Sequence, residues 1–142
     1  MKTYKSLRMV RMEHLNHHHT LYAGQGTEWM VEAAFIATTL EHGNKSEVRY
    51  RNTHEFSFSK AVEPGDIVCY ESTVVRTGKT SVTMHIALKN AHTNDLHAEG
   101  YVTFVIVGEY SETPLVHGIV LDETTDPQEL KWREKAQSFF AK

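Results

Sequence analysis

The sequence predicts an α+β fold in which an antiparallel sheet wraps one long central helix, with an extra C-terminal helix. Three observations predict it. The stretch 27–41 is helix-forming and carries apolar residues on every side. The segment 67–107 reads as strands joined by short polar turns. The order is one strand, the helix, then four strands, so one sheet face has to cover the helix, an α+β layer arrangement.

Residues 3–11, with Tyr4, Leu7, Met9 and Val10 among basic residues, read as the first strand. Residues 13–26 are polar, rich in histidine, and end in Gly24-Gln25-Gly26, which reads as a loop. The helix is expected from about Thr27, a suitable N-cap, with Glu28 in its first turn, to about Glu41. Gly43-Asn44 is a natural stop, because both residues tolerate positive φ. Trp29, Met30, Val31, Phe35, Ile36 and Leu40 leave no polar side, so this helix of about four turns is expected to be buried all round.

Strands follow. From Val48 to Phe58 the pattern has period two, but both faces carry polar groups. Pro64-Gly65-Asp66 is a turn into a strand from Ile67 to Arg76. Thr77-Gly78-Lys79 turns the chain into the next strand, where Val82, Met84, Ile86 and Leu88 alternate with Ser81, Thr83, His85 and Lys89. The last long strand is expected over 97–107, with Val102, Phe104 and Ile106 on one face. Asp126-Pro127 then opens a final helix of about 127–141, as N-cap and first helical residue. Its stripe of Trp132, Ala136, Phe139 and Phe140 is expected to pack on the sheet exterior or on a neighbouring subunit.

A length of 142 residues fits a single domain over 1–142, with a core of about 3–107 and a C-terminal extension. The net charge of −3 gives no electrostatic case for nucleic acid, which needs a basic surface. The single cysteine, Cys69, allows no internal disulfide and reads as a buried apolar residue in a strand. The first five residues lack an apolar export core, and the apolar stretch 29–40 is too short to span a bilayer. No membrane association and a cytoplasmic location are the expectation.

The segment Leu15-Asn16-His17-His18-His19-Thr20-Leu21-Tyr22-Ala23-Gly24, followed by Glu28-Trp29-Met30-Val31-Glu32-Ala33-Ala34, resembles the signature of hotdog-fold acyl-CoA thioesterases. In that family an Asn-x-His-Gly-Thr-Leu-Phe-Gly-Gly loop runs into the central helix, and a carboxylate follows on the helix. Pro64-Gly65-Asp66 and the turn Arg76-Thr77-Gly78-Lys79-Thr80-Ser81 are similar to the family's later segments, so the resemblance covers roughly residues 3–107. Two positions depart from the pattern. Ala23-Gly24 stands where two glycines are usual, and a gapless reading puts Val31 at the acid's place with Glu32 next to it. A shift of one residue would align Gly24 with the first glycine and Glu32 with the acid.

The resemblance implies hydrolysis of acyl-CoA, or a related thioester, to acid and thiol, with coenzyme A as part of the substrate and no separate cofactor. It also implies self-association, as a dimer or as a tetramer or hexamer, with sites shared between subunits. The residues support the chemistry independently. Thioester cleavage needs a polarised carbonyl, and free N–H groups at a helix N-terminus, such as that of Gly24, can bind the developing oxyanion. Glu32, a carboxylate on an apolar helix, is the candidate base or nucleophile. The bland alternative is a helix-edge glutamate in solvent or paired with Arg49 or Arg51. Glu28 shares its helix face and suits the positive end of the helix dipole. Asn16 could orient water or the carbonyl, and His18, Thr20 and Tyr22 sit where the loop approaches the acyl group. Three consecutive histidines cannot converge on one metal ion, so no metal is expected. Arg76, Gly78, Lys79, Thr80 and Ser81 combine cations and hydroxyls suited to the phosphate or pantetheine part of coenzyme A, although a solvated hairpin tip is the stronger reading for Lys79 on its own. A binding module that has lost the acid, with Val31 in its place, is the competing reading. A hydratase ranks last, because no proline-rich segment follows a histidine into the helix.

Overall fold

A computed structural model describes residues 2–140. Strand β1 (Thr3–Met9) is followed by helix α1 (Ala23–His42), then by β2 (Val48–Phe58), β3 (Ile67–Thr77), β4 (Ser81–Asn90) and β5 (Leu96–Ile106). Helix α2 (Pro127–Ser138) closes the chain. The strands form one sheet in the order β1-β3-β4-β5-β2, antiparallel throughout. No helix is long and apolar enough to cross a membrane among the described residues.

The alternation read in β4 and β5 decides which face turns inward. Val82, Met84, Ile86, Leu88, Val102, Phe104 and Ile106 are fully buried on the face that carries α1. Trp29, Met30, Ala33, Ala34 and Ala37 of α1 pack against them. At roughly 25 cal/mol per Å² of apolar surface removed from water, this layer is the main source of stability.

Helix α1 corrects the sequence reading twice. It begins at Ala23, four residues before Thr27, so Gly24 and Gly26 lie inside its first turns. Thr27 is no cap, and its hydroxyl donates back to the Ala23 carbonyl at 2.8 Å. The early start is a packing result: a Cβ on Gly26 would stand 2.7 Å from the Phe58 ring, and the Gly26 carbonyl accepts from the buried Tyr70 hydroxyl at 2.7 Å. These glycines serve close approach rather than a turn. The second correction concerns burial. Glu28, Glu32, Ile36 and Leu40 form an exposed stripe at four-residue spacing, with Leu40 61 % accessible. One chain's sheet covers only one side of the helix. Its end is as expected: Gly43 at φ 91° donates to the Thr39 carbonyl in a left-handed cap.

The edge strand β2 is broken by irregularities between Tyr50 and Asn52 and between His54 and Ser57, with Glu55 at φ 50°. These bulges explain why its period-two pattern left neither face apolar. Helix α2 covers the outer sheet face. The Asp126 carboxylate accepts from the Gln128 and Glu129 amides, and Pro127 stands at the first helical position. Ala136 is buried against Val75 and Tyr101, Trp132 stacks on His85 at 3.8 Å, and Phe139 stacks on His54 at 4.2 Å. The tail helix therefore packs on the sheet exterior of its own chain. It ends at Ser138, and position 141 of the expected range lies outside the described residues. Cys69 is buried and unpaired, and burial pushes its thiol up.

Candidate active site

The loop before α1 is closed by one side chain. Asn16 Oδ1 accepts from the His18 amide at 2.9 Å and the Thr20 amide at 3.2 Å, while Nδ2 donates to Thr20 Oγ1 at 3.1 Å. His19 takes up a left-handed φ of 63° to complete the bend. Asn16 and Thr20 thus hold each other, and they line a groove of about 350 Å³ together with Leu21, Phe58, Lys60 and Val62. The His17 and His18 rings lie against each other on the exposed side, their centroids 4.0 Å apart and their planes tilted by 41°. Among the described residues no group of three or more side chains is disposed to hold a metal ion.

This loop delivers the chain into α1 with the helix N-terminus open. Tyr22 occupies the cap position without a side-chain hydrogen bond, and the first turn holds no acid. The helical ladder reaches Gly26, whose amide donates to the Tyr22 carbonyl at 3.0 Å. The amides of Ala23, Gly24 and Gln25 precede that bond and so carry the positive end of the helix dipole. The exposed Tyr22 ring leans over Gly24.

Glu32 lies on the exposed stripe of α1, eight residues and about 12 Å along the axis from Gly24. Its carboxylate is paired with the Arg8 guanidinium from β1, not with Arg49 or Arg51. The reason is topological, since α1 presents Glu32 toward the β1 edge while β2 is the opposite edge. Arg8 also sits over the Trp29 ring, 5.3 Å from its centroid, and lines a cleft of about 300 Å³ with Arg11, His14 and Trp29. Val31 turns inward and packs against the core. Glu28 stays exposed and accepts from Gln25 at 3.2 Å.

The second group of candidates is built at the other end of the sheet. Arg76 Nη1 donates to Ser81 Oγ at 3.2 Å, and the Gly78 amide donates to the Ser81 carbonyl at 2.9 Å. Neighbours pin this turn: the Ile106 amide donates to the Thr80 carbonyl at 2.7 Å, and His117 Nε2 donates to that of Ser81 at 2.8 Å. Lys79 is exposed. The turn adjoins Glu47 and Val107, near the C-terminal end of α1, whereas the Asn16–Gly24 loop adjoins Val62 and Phe58 near the start of β5. The ten residues of β4 run between the two ends, about 30 Å. One chain therefore does not bring its two groups of candidates together. Sequence reasoning missed Arg8, for which no local signal exists, and His117, which lies in an irregular segment.

A family model, that of the Thioesterase superfamily, matches residues 18–96, more than half of the chain. The chain belongs to this superfamily. Among solved structures, an acyl-CoA hydrolase from Staphylococcus aureus, in complex with butyryl coenzyme A, coenzyme A and coenzyme A disulfide, is 25% identical. The match covers 97% of this chain and 87% of that one, with a TM-score of 0.77. An acyl-CoA hydrolase from Bacillus cereus matches at 22% identity over 97% of this chain and 84% of that one, with a TM-score of 0.83. An apo-hexameric acyl-CoA thioesterase matches at 24% identity over 96% and 86%, with a TM-score of 0.82. No curated protein matches the sequence. In this thioesterase-superfamily chain the hotdog arrangement expected from the loop and helix is the one observed, with α1 as the wrapped helix and α2 as an addition outside the sheet.

Proposed function

We propose that the protein hydrolyses acyl-CoA, or a closely related acyl thioester, to free acid and thiol. The observation that carries this is the open N-terminus of α1, with three first-turn amides preceding the first helical bond and no capping side chain. Such a terminus stabilises negative charge. Aimed at the thioester carbonyl, the Gly24 amide receives the charge that develops on oxygen as the tetrahedral intermediate forms. Glu32 is the base that takes a proton from water, or the nucleophile that attacks the carbonyl itself. The carbon–sulfur bond then breaks and the thiolate takes the proton that came from water; by the nucleophilic route, a water molecule opens the anhydride between Glu32 and the acyl group and so releases the acid. Asn16, His18, Thr20 and Tyr22 border the acyl end, and the 76–81 turn takes the carrier.

Gly24 and Glu32 of one helix are too far apart to meet one carbonyl, which has to lie about 3 Å from both attacker and donor. A second copy of the chain resolves this by presenting its Glu32 to the first copy's Gly24. The exposed stripe with Ile36 and Leu40, and the unpaired edges of β1 and β2, are the surfaces available for such pairing. Hydrolase function at this site thus requires at least a dimer.

A competing reading, a non-catalytic acyl-thioester binding protein, draws on two observations: Val31 packs against the core and Glu32 is engaged by Arg8. Thiol release from a panel of acyl-CoAs, with wild type and Glu32→Gln side by side, separates the two. Glu32→Gln is expected to lower kcat by about a hundredfold or more while coenzyme A binding persists. Equal turnover in both proteins removes Glu32 from the chemistry. Binding without thiol release in wild type selects the binding protein.

A further inference from the structure

An ion pair between exposed side chains contributes little to stability, because water screens it and two long side chains have to be ordered. The pair between Arg8 and Glu32 is of this kind, with 36% and 51% of the two side chains accessible. Arg8 is nevertheless held from three directions. Its backbone is fixed in β1 opposite Val68 of β3. Its guanidinium lies over the Trp29 ring, 5.3 Å from the centroid, and Nη2 donates to Glu32 Oε1.

The ring beneath Arg8 is itself fixed. Trp29 is 6% exposed and belongs to the core. The His14 ring meets it edge-on, with centroids 4.6 Å apart. His14 Nδ1 accepts from the Arg11 amide at 3.0 Å, and the His14 carbonyl accepts from the Tyr22 amide at 2.9 Å. One residue thus braces both the ring under Arg8 and the residue that opens α1. Trp29 stands three positions before Glu32, so the two are neighbours on the helix surface and one cation reaching across from β1 meets both. The carboxylate is held by one oxygen only. Oε1 accepts from Arg8, and Oε2 has no hydrogen-bond partner among the described residues.

We propose that Arg8 is the positioning residue of this site: supported by Trp29, it holds Oε1 of Glu32 and leaves Oε2 for the attacking water or for the carbonyl carbon. This rests on the thioesterase reading and deepens it by naming what orients its base or nucleophile. A free glutamate on a helix surface samples many rotamers, and ordering it has an entropic cost. A guanidinium anchored by its flat face offers its N–H edge to the carboxylate and so fixes where that group points. Orientation of this kind acts on the chemical step rather than on substrate affinity. Engagement by Arg8 is then part of hydrolysis and not a sign that the acid is lost.

Steady-state thiol release from one acyl-CoA tests it, with Arg8→Gln, Glu32→Gln and the double variant measured beside wild type. Arg8→Gln is expected to lower kcat about tenfold with KM held within about twofold, because Arg8 acts through the carboxylate. In the Glu32→Gln background the same substitution is expected to change the residual rate by less than about twofold, since groups that act as a unit are not additive. Arg8→Lys keeps the charge and loses the flat stacking face, so it recovers part of the loss. Trp29→Phe, a weaker cation–π partner, gives a smaller fall in kcat of the same kind. Arg49→Gln, which breaks the pair with Glu112 on β2, leaves kcat and KM alone. An equal loss with Arg8→Gln in both backgrounds makes Arg8 merely structural and overturns the assignment. So does an unchanged or raised kcat, which would mean that the pair is idle or restrains Glu32. The two failures are separable. Wild type without thiol release, or Glu32→Gln as fast as wild type, removes the reading on which this inference stands, and the inference with it. An active, Glu32-dependent enzyme that is indifferent to Arg8→Gln removes this inference alone.

Discussion

The two helices of this protein begin in opposite ways. Helix α2 is closed at its N-terminus: Asp126 accepts from two first-turn amides, Pro127 removes one donor, and Glu129 adds an acid. Helix α1 is open: the Tyr22 side chain supplies no acceptor and the first turn has no acid. A cap typically contributes about 1 kcal/mol, so α1 forgoes stability that α2 has. The helix that forgoes it is the one that carries the candidate residues Gly24 and Glu32 and follows the Asn16 loop, and the capped one only covers the sheet. On the proposed reading, the acceptor missing from this uncapped terminus is the substrate.

Closing α1 gives the largest expected effect. Tyr22→Asp places a carboxylate where it accepts from the amides of Gly24 and Gln25. Thermal stability is then expected to hold or rise, by up to about 1 kcal/mol, while kcat for acyl-CoA falls tenfold or more, since one oxyanion donor is commonly worth about a hundredfold. Tyr22→Ala isolates the loss of the ring, and Tyr22→Asp has to fall below it. Activity in Tyr22→Asp equal to that of Tyr22→Ala would mean that the open terminus has no part in the reaction.

The architecture was legible because it rests on local signals. Period two in β4 and β5, and the glycine stop at Gly43, need no knowledge of distant residues. The start of α1 was not legible, because Ala23-Gly24-Gln25-Gly26 reads as turn chemistry, and only the Phe58 ring against Gly26 shows why glycine stands inside the helix. The exposed stripe was hidden for a similar reason. Ile36 and Leu40 are apolar yet exposed, and composition cannot say that one sheet covers only half a helix. The candidate residues themselves could be named from their motif, but their separation to opposite ends of the sheet follows from strand order. Arg8 against Glu32 is a pairing across elements that leaves no trace in spacing.

Opening α2 is the mirror experiment, with a smaller effect. Asp126→Ala strands the Gln128 and Glu129 amides and is expected to cost about 1 kcal/mol of stability, read as a lower denaturation midpoint. Because α2 only covers the outer face, kcat at saturating substrate is expected to stay within about twofold. A collapse of kcat in a folded Asp126→Ala protein would place α2 within the catalytic machinery and dissolve the contrast between the two helices.

The smallest effect concerns what α2 covers. His85 is 1% exposed, stacked on Trp132, bonded through Nε2 to Glu99 at 2.9 Å, and without a partner at Nδ1. Burial, the largest influence, pulls its pKa below the ordinary histidine value; Glu99 works the other way, and Lys89 reinforces burial. The folded state therefore favours neutral imidazole more than the unfolded chain does. Between the ordinary value and the lower folded one the unfolded chain binds more protons, so stability rises with pH there. The contribution is present in full above about pH 6.5 and is lost as pH falls through the folded pKa. Acidification is thus expected to loosen α2 first, seen as a change in Trp132 fluorescence before global unfolding. In His85→Gln, which cannot titrate, that early change should vanish. If it persists, some other group governs how α2 is held, and the covered face is less sensitive to protons than its burial implies.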